Sequence, residues 1–268
     1  MDRVFYQQQI GSTNSWAMEA VESSQGPATN ERALFLASEQ TAGRGRGDNQ
    51  WLAGAGALTF TLSVPQMFSS LESPTLLSLV PLAVGCGVCD AVDQLLAHLL
   101  EKEASDSMHS RTKIKWPNDI HLHGRKLGGV LVETSGKRWI IGCGLNVNND
   151  VSQVANSISI HEPEVLSAPV SLCQFAINVV NSVLARLDAL DPDEANDSLL
   201  KELRARDVLY GKRVRWVRGK DQLTAQASGI SDDGGLILEN ASGSRIAYSG
   251  SIRPLSKLEL DESRDFEN

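Results

Sequence analysis

The sequence predicts an α+β protein: a mixed β-sheet flanked by a few helices, followed by a small all-β module. Three observations predict it. Several strand-like apolar runs follow one another with few helices between them, which does not fit regular βαβ alternation. From Arg213 onward the texture changes to short strands separated by turns. The 268 residues, 41% hydrophobic and 22% charged, suffice for a sizeable core and one or two domains. The change of texture at Leu209-Tyr210-Gly211-Lys212 sets the expected division. Residues 1–207 form the first domain, 208–258 the second, and 259–268 an acidic tail expected to be disordered.

In order, Val4 to Gln8 reads as a short opening strand. Ser12, Thr13 and Asn14 then precede a helical segment. They fit a plain N-cap, and they equally fit a ring of hydroxyl and amide groups around a polar ligand head. Gln25 to Asn30 is a turn. Ala33–Ser38 and Ala57–Val64 read as buried strands. Ser73-Pro74-Thr75 starts a long helix running to about Leu100, with Pro74 in its first turn, and Glu101 to Ser110 reads as a polar surface loop. In Lys113-Ile114-Lys115-Trp116-Pro117-Asn118-Asp119-Ile120, Pro117 blocks a continuous central strand. A hairpin is expected around His123-Gly124, with His121 and His123 as exposed residues and not metal ligands. Strands follow at Gly128–Glu133 and Lys137–Gly142, with helices over Ser171–Leu190 and Pro192–Asp207. The second domain should hold strands at Val214–Val217, Thr224–Ile230, Leu236–Glu239 and Arg245–Ser249, as a small β-barrel or sandwich.

The stretch richest in chemistry is Ser38 to Trp51, where Gly43, Gly45 and Gly47 alternate with Arg44 and Arg46. Glycine permits φ > 0 and close approach of backbone to ligand, and successive N–H groups in such a run can hold an anion. Arginine adds a fork of donors that fits phosphate or carboxylate oxygens. The flanking strands make this a loop on a rigid scaffold; a solvated linker is the other reading that composition allows.

The bulk numbers exclude other classes. A net charge of −8 does not fit a general nucleic-acid surface, so a local basic loop points to a small anion. The N-terminus shows no basic region followed by an apolar run, so no signal peptide is expected, and the cytoplasm is the default compartment. The apolar stretch from Leu76 to Leu100 contains Pro81, Asp90, Asp93 and His98 and reads as a core helix, not a membrane span. Of Cys86, Cys89, Cys143 and Cys173, the first two have a half-site spacing. No second pair accompanies them, and their apolar context favours a structural role.

Five blocks then occur in a fixed order: Ser12-Thr13-Asn14; Gln40-Thr41-Ala42-Gly43-Arg44-Gly45-Arg46-Gly47; Lys115-Trp116-Pro117-Asn118-Asp119; Arg125-Lys126-Leu127-Gly128-Gly129; and Gly144-Leu145-Asn146. Through them the chain resembles biotin–protein ligases, from about residue 4 to 257, with the small β domain included. The resemblance implies a class II synthetase-like sheet shared with lipoate ligases, and an SH3-like second domain. It implies an enzyme that joins biotin and ATP into biotinyl-5′-adenylate with release of pyrophosphate. The biotinyl group then passes to a lysine of a biotin carboxyl carrier protein.

The resemblance also implies roles. Lys126 is the leading catalytic residue, touching both the biotin carboxylate and the α-phosphate. Arg44 and Arg46 hold carboxylate and phosphates, with Lys115 as a further cation. Ser12, Thr13, Asn14, Gln40 and Gly43 serve biotin and the adenylate, and Gly129 and Leu131 meet biotin through the strand backbone. Trp51 packs on adenine, though a core aromatic fits it as well, and Asn146 contacts the nucleotide. Asp119 either binds Mg²⁺, expected with ATP, or helps deprotonate the incoming lysine. Trp116 and Pro117 shape the site.

Two departures stand out. Bifunctional relatives carry further arginines in the loop, where this chain has Gly47 and Asn49 with Asp48 between them. Their DNA-binding winged helix has no counterpart, because the ligase pattern begins almost at Met1. The expectation is a ligase that is not a repressor, with neither DNA nor membrane as partner, and with a homodimer left open. The alternatives are a lipoate–protein ligase or acyltransferase on a related fold, and a non-catalytic module that binds the adenylate.

Overall fold

Alternation along Ala33-Leu34-Phe35-Leu36-Ala37 buries Ala33, Phe35 and Ala37 on one side of a strand. In the computed structural model, which describes residues 1–66, 74–99, 112–191, 196–257 and 259, that strand is β2 (Ala33–Arg44). It pairs in parallel with β1 (Arg3–Ile10) and antiparallel with both β3 (Gln50–Ala53) and β4 (Leu58–Pro65). Strands β5 (Thr112–Lys115), β6 (Asp119–Leu122), β7 (Arg125–Ser135) and β8 (Arg138–Leu145) complete an eight-stranded sheet in the order β1-β2-β4-β8-β7-β6-β5, with β3 attached to β2. The single parallel pair makes the sheet mixed, as expected.

Helix α1 (Thr13–Glu22) covers one face through Trp16 and Ala17, where Phe35 stacks on Phe5 at 4.6 Å and meets Trp16 edge-on at 5.1 Å. Helices α2 (Pro74–Leu99) and α3 (Leu172–Asp188) pack on each other and join the larger core with Phe60, Leu62 and Leu127. By length and apolarity α2 could cross a membrane, but most of its apolar stretch is buried inside the protein. Its Cys86 and Cys89 are free and buried, as the structural reading required. The buried Arg206 at the end of α4 (Asp197–Arg206) ties that helix to α2 by ion pairs with Asp90 at 3.1 Å and Asp93 at 2.8 Å.

The second part is a five-stranded antiparallel sheet of β9 (Arg213–Arg218), β10 (Asp221–Ile230), β11 (Leu236–Asn240), β12 (Gly243–Ala247) and β13 (Ser251–Pro254). Its order is β12-β11-β10-β9-β13. Trp216, Leu236 and Leu238 belong to the same apolar cluster as α2. The Trp116 indole donates to Gly234 O at 3.1 Å, a buried bond between the two sheets.

Several expectations are corrected. Strand β2 continues through Gly43 and Arg44, because its pairing with β3 extends it, so only residues 45–49 form the loop. Strands β3 and β13 are too short to carry an alternation pattern and were not expected. The last helix begins at Asp197, with residues 192–195 outside the described set. Ser12 occupies the N-cap position but its side chain makes no capping bond, which leaves the hydroxyl available to the site. His121 is buried, not exposed, because β6 lies between β5 and β7 and is covered on both faces; His123 is exposed at the turn. The loop expected over Glu101 to Ser110 and the tail after Leu260 lie outside the described residues.

Candidate active site

Polar residues on β4 explain where the site forms. Thr59, Thr61 and Ser63 are buried in a central strand, so each hydroxyl needs a partner. Thr59 donates to Ala37 O at 3.1 Å, Ser63 accepts from Arg138 Nε at 2.7 Å, and Thr61 donates to Asn14 Oδ1 at 2.6 Å. Thr61 thereby anchors the start of α1. Thr61 Oγ1 lies 2.9 Å from Thr13 Oγ1, and the Thr13 N–H donates to Gln40 Oε1 at 2.7 Å. Asn14 Nδ2 donates to Leu131 O at 3.4 Å on β7. Residues distant in sequence thus form one polar floor.

Above that floor is a cavity of about 830 Å³. Of the residues singled out from the sequence, Ser12, Thr13, Asn14, Gln40, Arg44, Arg46, Trp51, Lys115, Asp119, Lys126, Gly129 and Leu131 all line it. Two do not. Gly43 is buried in β2 opposite Trp51, where an added Cβ would meet Trp51 O at 2.3 Å. Asn146 is buried behind the wall, its amide oxygen accepting from Asn149 Nδ2 at 3.0 Å. The neighbouring Gly144 lines the cavity, and its lack of a side chain is required: a Cβ there would lie 2.5 Å from Trp51 Cε2. Trp51 Nε1 is buried without a hydrogen-bond partner among the described residues.

The four cations differ in their surroundings. Lys126 Nζ lies 2.6 Å from Asp119 Oδ1, and Lys115 Nζ 3.8 Å from Asp119 Oδ2. Arg44 pairs with Glu133 at 2.5 Å. Arg46 has no ion pair among the described residues; its Nη1 donates to Asn118 Oδ1 at 3.4 Å and to Gly250 O at 3.5 Å, both long. Burial pushes the Arg46 guanidinium below its ordinary value, with attraction to Asp119 opposing the shift. A partly desolvated cation with only weak acceptors is a natural partner for an anion.

The loop itself is a tight turn. The Gly45 N–H donates to Asn49 O at 2.8 Å, Asn49 N–H to Arg46 O at 3.2 Å, and Gly47 has φ +59°. One N–H group of the expected anion cradle, that of Gly45, is therefore used inside the turn, and the cations carry more of the attraction. The donor set also does not fit a protein-held Mg²⁺. Asp119 is already shared by two ammonium groups, and no group of three His, Cys, Asp or Glu side chains is placed to bind a metal among the described residues.

Sequence reasoning missed five contributors. Glu133 sits on β7 with nothing in its local pattern to mark it. Asn118 lies inside the Trp-Pro-Asn-Asp block, and its side chain braces β7 by donating to Val130 O at 2.8 Å. Arg218, Gly250 and Ser251 bring the small β domain to the cavity wall, a contact that only the tertiary fold creates.

Comparison with known proteins places this architecture. The sequence profile of the biotin/lipoate A/B protein ligase family matches residues 6–147, and that of the biotin protein ligase C terminal domain matches residues 209–252. A biotin--[acetyl-CoA-carboxylase] ligase of Mycobacterium tuberculosis is 29% identical over 246 residues, covering 91% of this chain and 86% of that protein. The bifunctional ligase/repressor BirA of Escherichia coli is 28% identical over 244 residues, covering 86% of this chain and 67% of that protein. The fold is shared with a biotin protein ligase from Aquifex aeolicus solved in complex with biotin and ATP. That structure has a TM-score of 0.75 and 21% identity, covering 95% of this chain and 100% of its own. With more than half of its length matched in sequence and the architecture matched throughout, this chain belongs to the biotin/lipoate A/B protein ligase family.

Proposed function

We propose that this chain is an ATP-dependent biotin–protein ligase. Biotin and ATP give biotinyl-5′-adenylate and pyrophosphate, and the biotinyl group then passes to a lysine of a biotin carboxyl carrier protein. The observation that carries the reading is the convergence of Arg44, Arg46, Lys115 and Lys126 on the cavity whose floor holds Ser12, Thr13, Asn14 and Gln40. The sequence relative named as a biotin--[acetyl-CoA-carboxylase] ligase supports biotin as substrate and a carboxylase as acceptor.

A carboxylate oxygen attacking the α-phosphorus brings two anions together and releases a third. Preset cations lower that barrier, because the charge they meet grows in the transition state. Lys126 is assigned to the point where carboxylate and α-phosphate meet. Arg46, which has no carboxylate partner among the described residues, is assigned to the phosphates. In the second step the carrier amine attacks the acyl carbon, AMP leaves, and the amine loses a proton. Asp119 is the carboxylate available to take it, once Lys126 has turned to the substrate. Magnesium would travel with the ATP phosphates and add Lewis-acid charge there; the chain's own donors do not form a cage for it. Trp51 is assigned to the adenine side, and Gly129 and Leu131 to biotin. Residues 1–207 are read as the catalytic part and 208–258 as a second part that closes the nucleotide end of the cavity.

Incubation of the purified chain with ATP and either biotin or lipoate, followed by pyrophosphate release and mass analysis of the adenylate, tests this. Biotin alone should support the reaction and label a carrier lysine. Turnover with lipoate in place of biotin, or an adenylate that never labels carrier, would overturn it.

A further inference from the structure

Glu133 joins Arg44, at the end of β2 where the loop begins, to the floor of the cavity. Its Oε1 accepts from Arg44 Nη2 at 2.5 Å, and its Oε2 accepts from Asn14 Nδ2 at 2.9 Å. The side chain is 22% exposed and Arg44 is 42% exposed, so the pair sits at the rim, partly shielded from water. The consequence runs further than one ion pair. A carboxylate only accepts, so it fixes the Asn14 amide with its NH₂ group toward Glu133. Asn14 Oδ1 is then turned to Thr61, which reaches it at 2.6 Å. Thr61 meets Thr13, and Thr13 meets Gln40. Arg44 and Gln40 both belong to β2, so the chain of contacts leaves the strand at one residue and returns to it at another. The Leu131 carbonyl favours the same orientation through a longer bond at 3.4 Å, and Glu133 makes the shorter, charged contact at 2.9 Å.

We propose that Glu133 is a positioning residue, which holds the Arg44 guanidinium over the cavity and presets the hydrogen-bond polarity of the floor that receives the ligand head. The proposal rests on the biotin-ligase reading for the identity of that ligand. The tether itself does not depend on it. Replacing Glu133 by Gln keeps the shape but places an NH₂ group against a donor, whichever way the amide turns.

The test uses the full chain, with Glu133→Gln, Glu133→Asp, Arg44→Ala and the Glu133→Gln/Arg44→Ala pair. Biotin affinity is measured by equilibrium dialysis, and loop exposure by the rate of tryptic cleavage after Arg44 and Arg46 without any substrate. Glu133→Gln should weaken biotin binding by about tenfold. Glu133→Asp should recover most of that loss, and the double variant should lose less than the product of the two single losses. Tryptic cleavage should rise severalfold in Glu133→Gln and return toward wild type in Glu133→Asp. Biotin affinity within twofold of wild type, multiplicative losses, or unchanged cleavage would each overturn the proposal. If the wild-type chain binds no biotin, the functional reading fails, and the cleavage rates still judge the tether. Should Glu133→Gln not fold, Arg44→Gln severs the ion pair from the exposed side, and the rate of cleavage after Arg46, the site it keeps, is expected to rise severalfold and overturns the tether if unchanged.

Discussion

The Lys126 ammonium rests 2.6 Å from Asp119 Oδ1, across the β6–β7 hairpin. This contact gives the lysine a defined position before any substrate arrives. In its proposed role, Lys126 would exchange the Asp119 carboxylate for the substrate anion. Lys126→Ala should therefore lower adenylate formation on the order of 10²–10³-fold, the usual size for removing one charge that meets the transition state. Pyrophosphate release at saturating ATP and biotin measures it, and near-normal turnover would remove Lys126 from its assigned role.

Arg46 presents the opposite case. Its guanidinium is partly buried without an ion pair among the described residues, so it costs the free protein stability. Arg46→Ala should weaken ATP binding about tenfold or more while leaving thermal stability unchanged or slightly raised. A drop in melting temperature without loss of ATP affinity would show that the residue is structural.

Trp51 and Gly144 are in van der Waals contact at the cavity wall, with no room for a methyl group between them. Gly144→Ala should push the indole out of place. Tryptophan fluorescence should shift and ATP affinity fall about tenfold, with biotin affinity less affected. Equal losses for both substrates would argue that the whole wall moves and that Trp51 has no special place on the adenine side.

His121 connects burial to pH. Burial lowers its pKa below the ordinary 6.5, with attraction to Asp119 opposing that and Lys115 and Lys126 adding to it. Above 6.5 the histidine is neutral in both folded and unfolded chains, and stability is full. As pH falls through that value the unfolded chain gains a proton that the folded chain resists, so stability is lost. Urea midpoints at pH 7.5 and pH 5.5 should therefore fall further for wild type than for His121→Phe. Parallel losses would assign the pH dependence to other groups.

The thiols give a simple check on the core. Burial pushes Cys89 and Cys143 up to about 12 and raises Cys86 as well, whereas Cys173 is exposed at the start of α3. One thiol should react with a maleimide at pH 7 in the folded chain, and four after denaturation. Rapid labelling of Cys143 in the folded chain would mean that the cavity floor opens.

By itself the sequence determined most of the elements, the mixed sheet, the small β module and the family, because these rest on local periodicity, turn chemistry and short motifs in a fixed order. It also picked twelve residues that line one cavity, since each stood inside a recognisable block. Only the tertiary structure decided how those residues are held. Glu133 reaches Arg44 across 89 positions, and Gly250 O reaches Arg46 across 204. No local pattern encodes such contacts, which arise when the sheet brings β2, β7 and β13 together. The same cause explains one failure of local reading. His121 looked exposed because a hairpin was visible and its covering strand was not. Asn146, a nucleotide contact by resemblance, is buried behind the cavity wall, where its amide oxygen accepts from Asn149. Local pattern sets which face a residue takes on its own strand, and packing decides what covers that face.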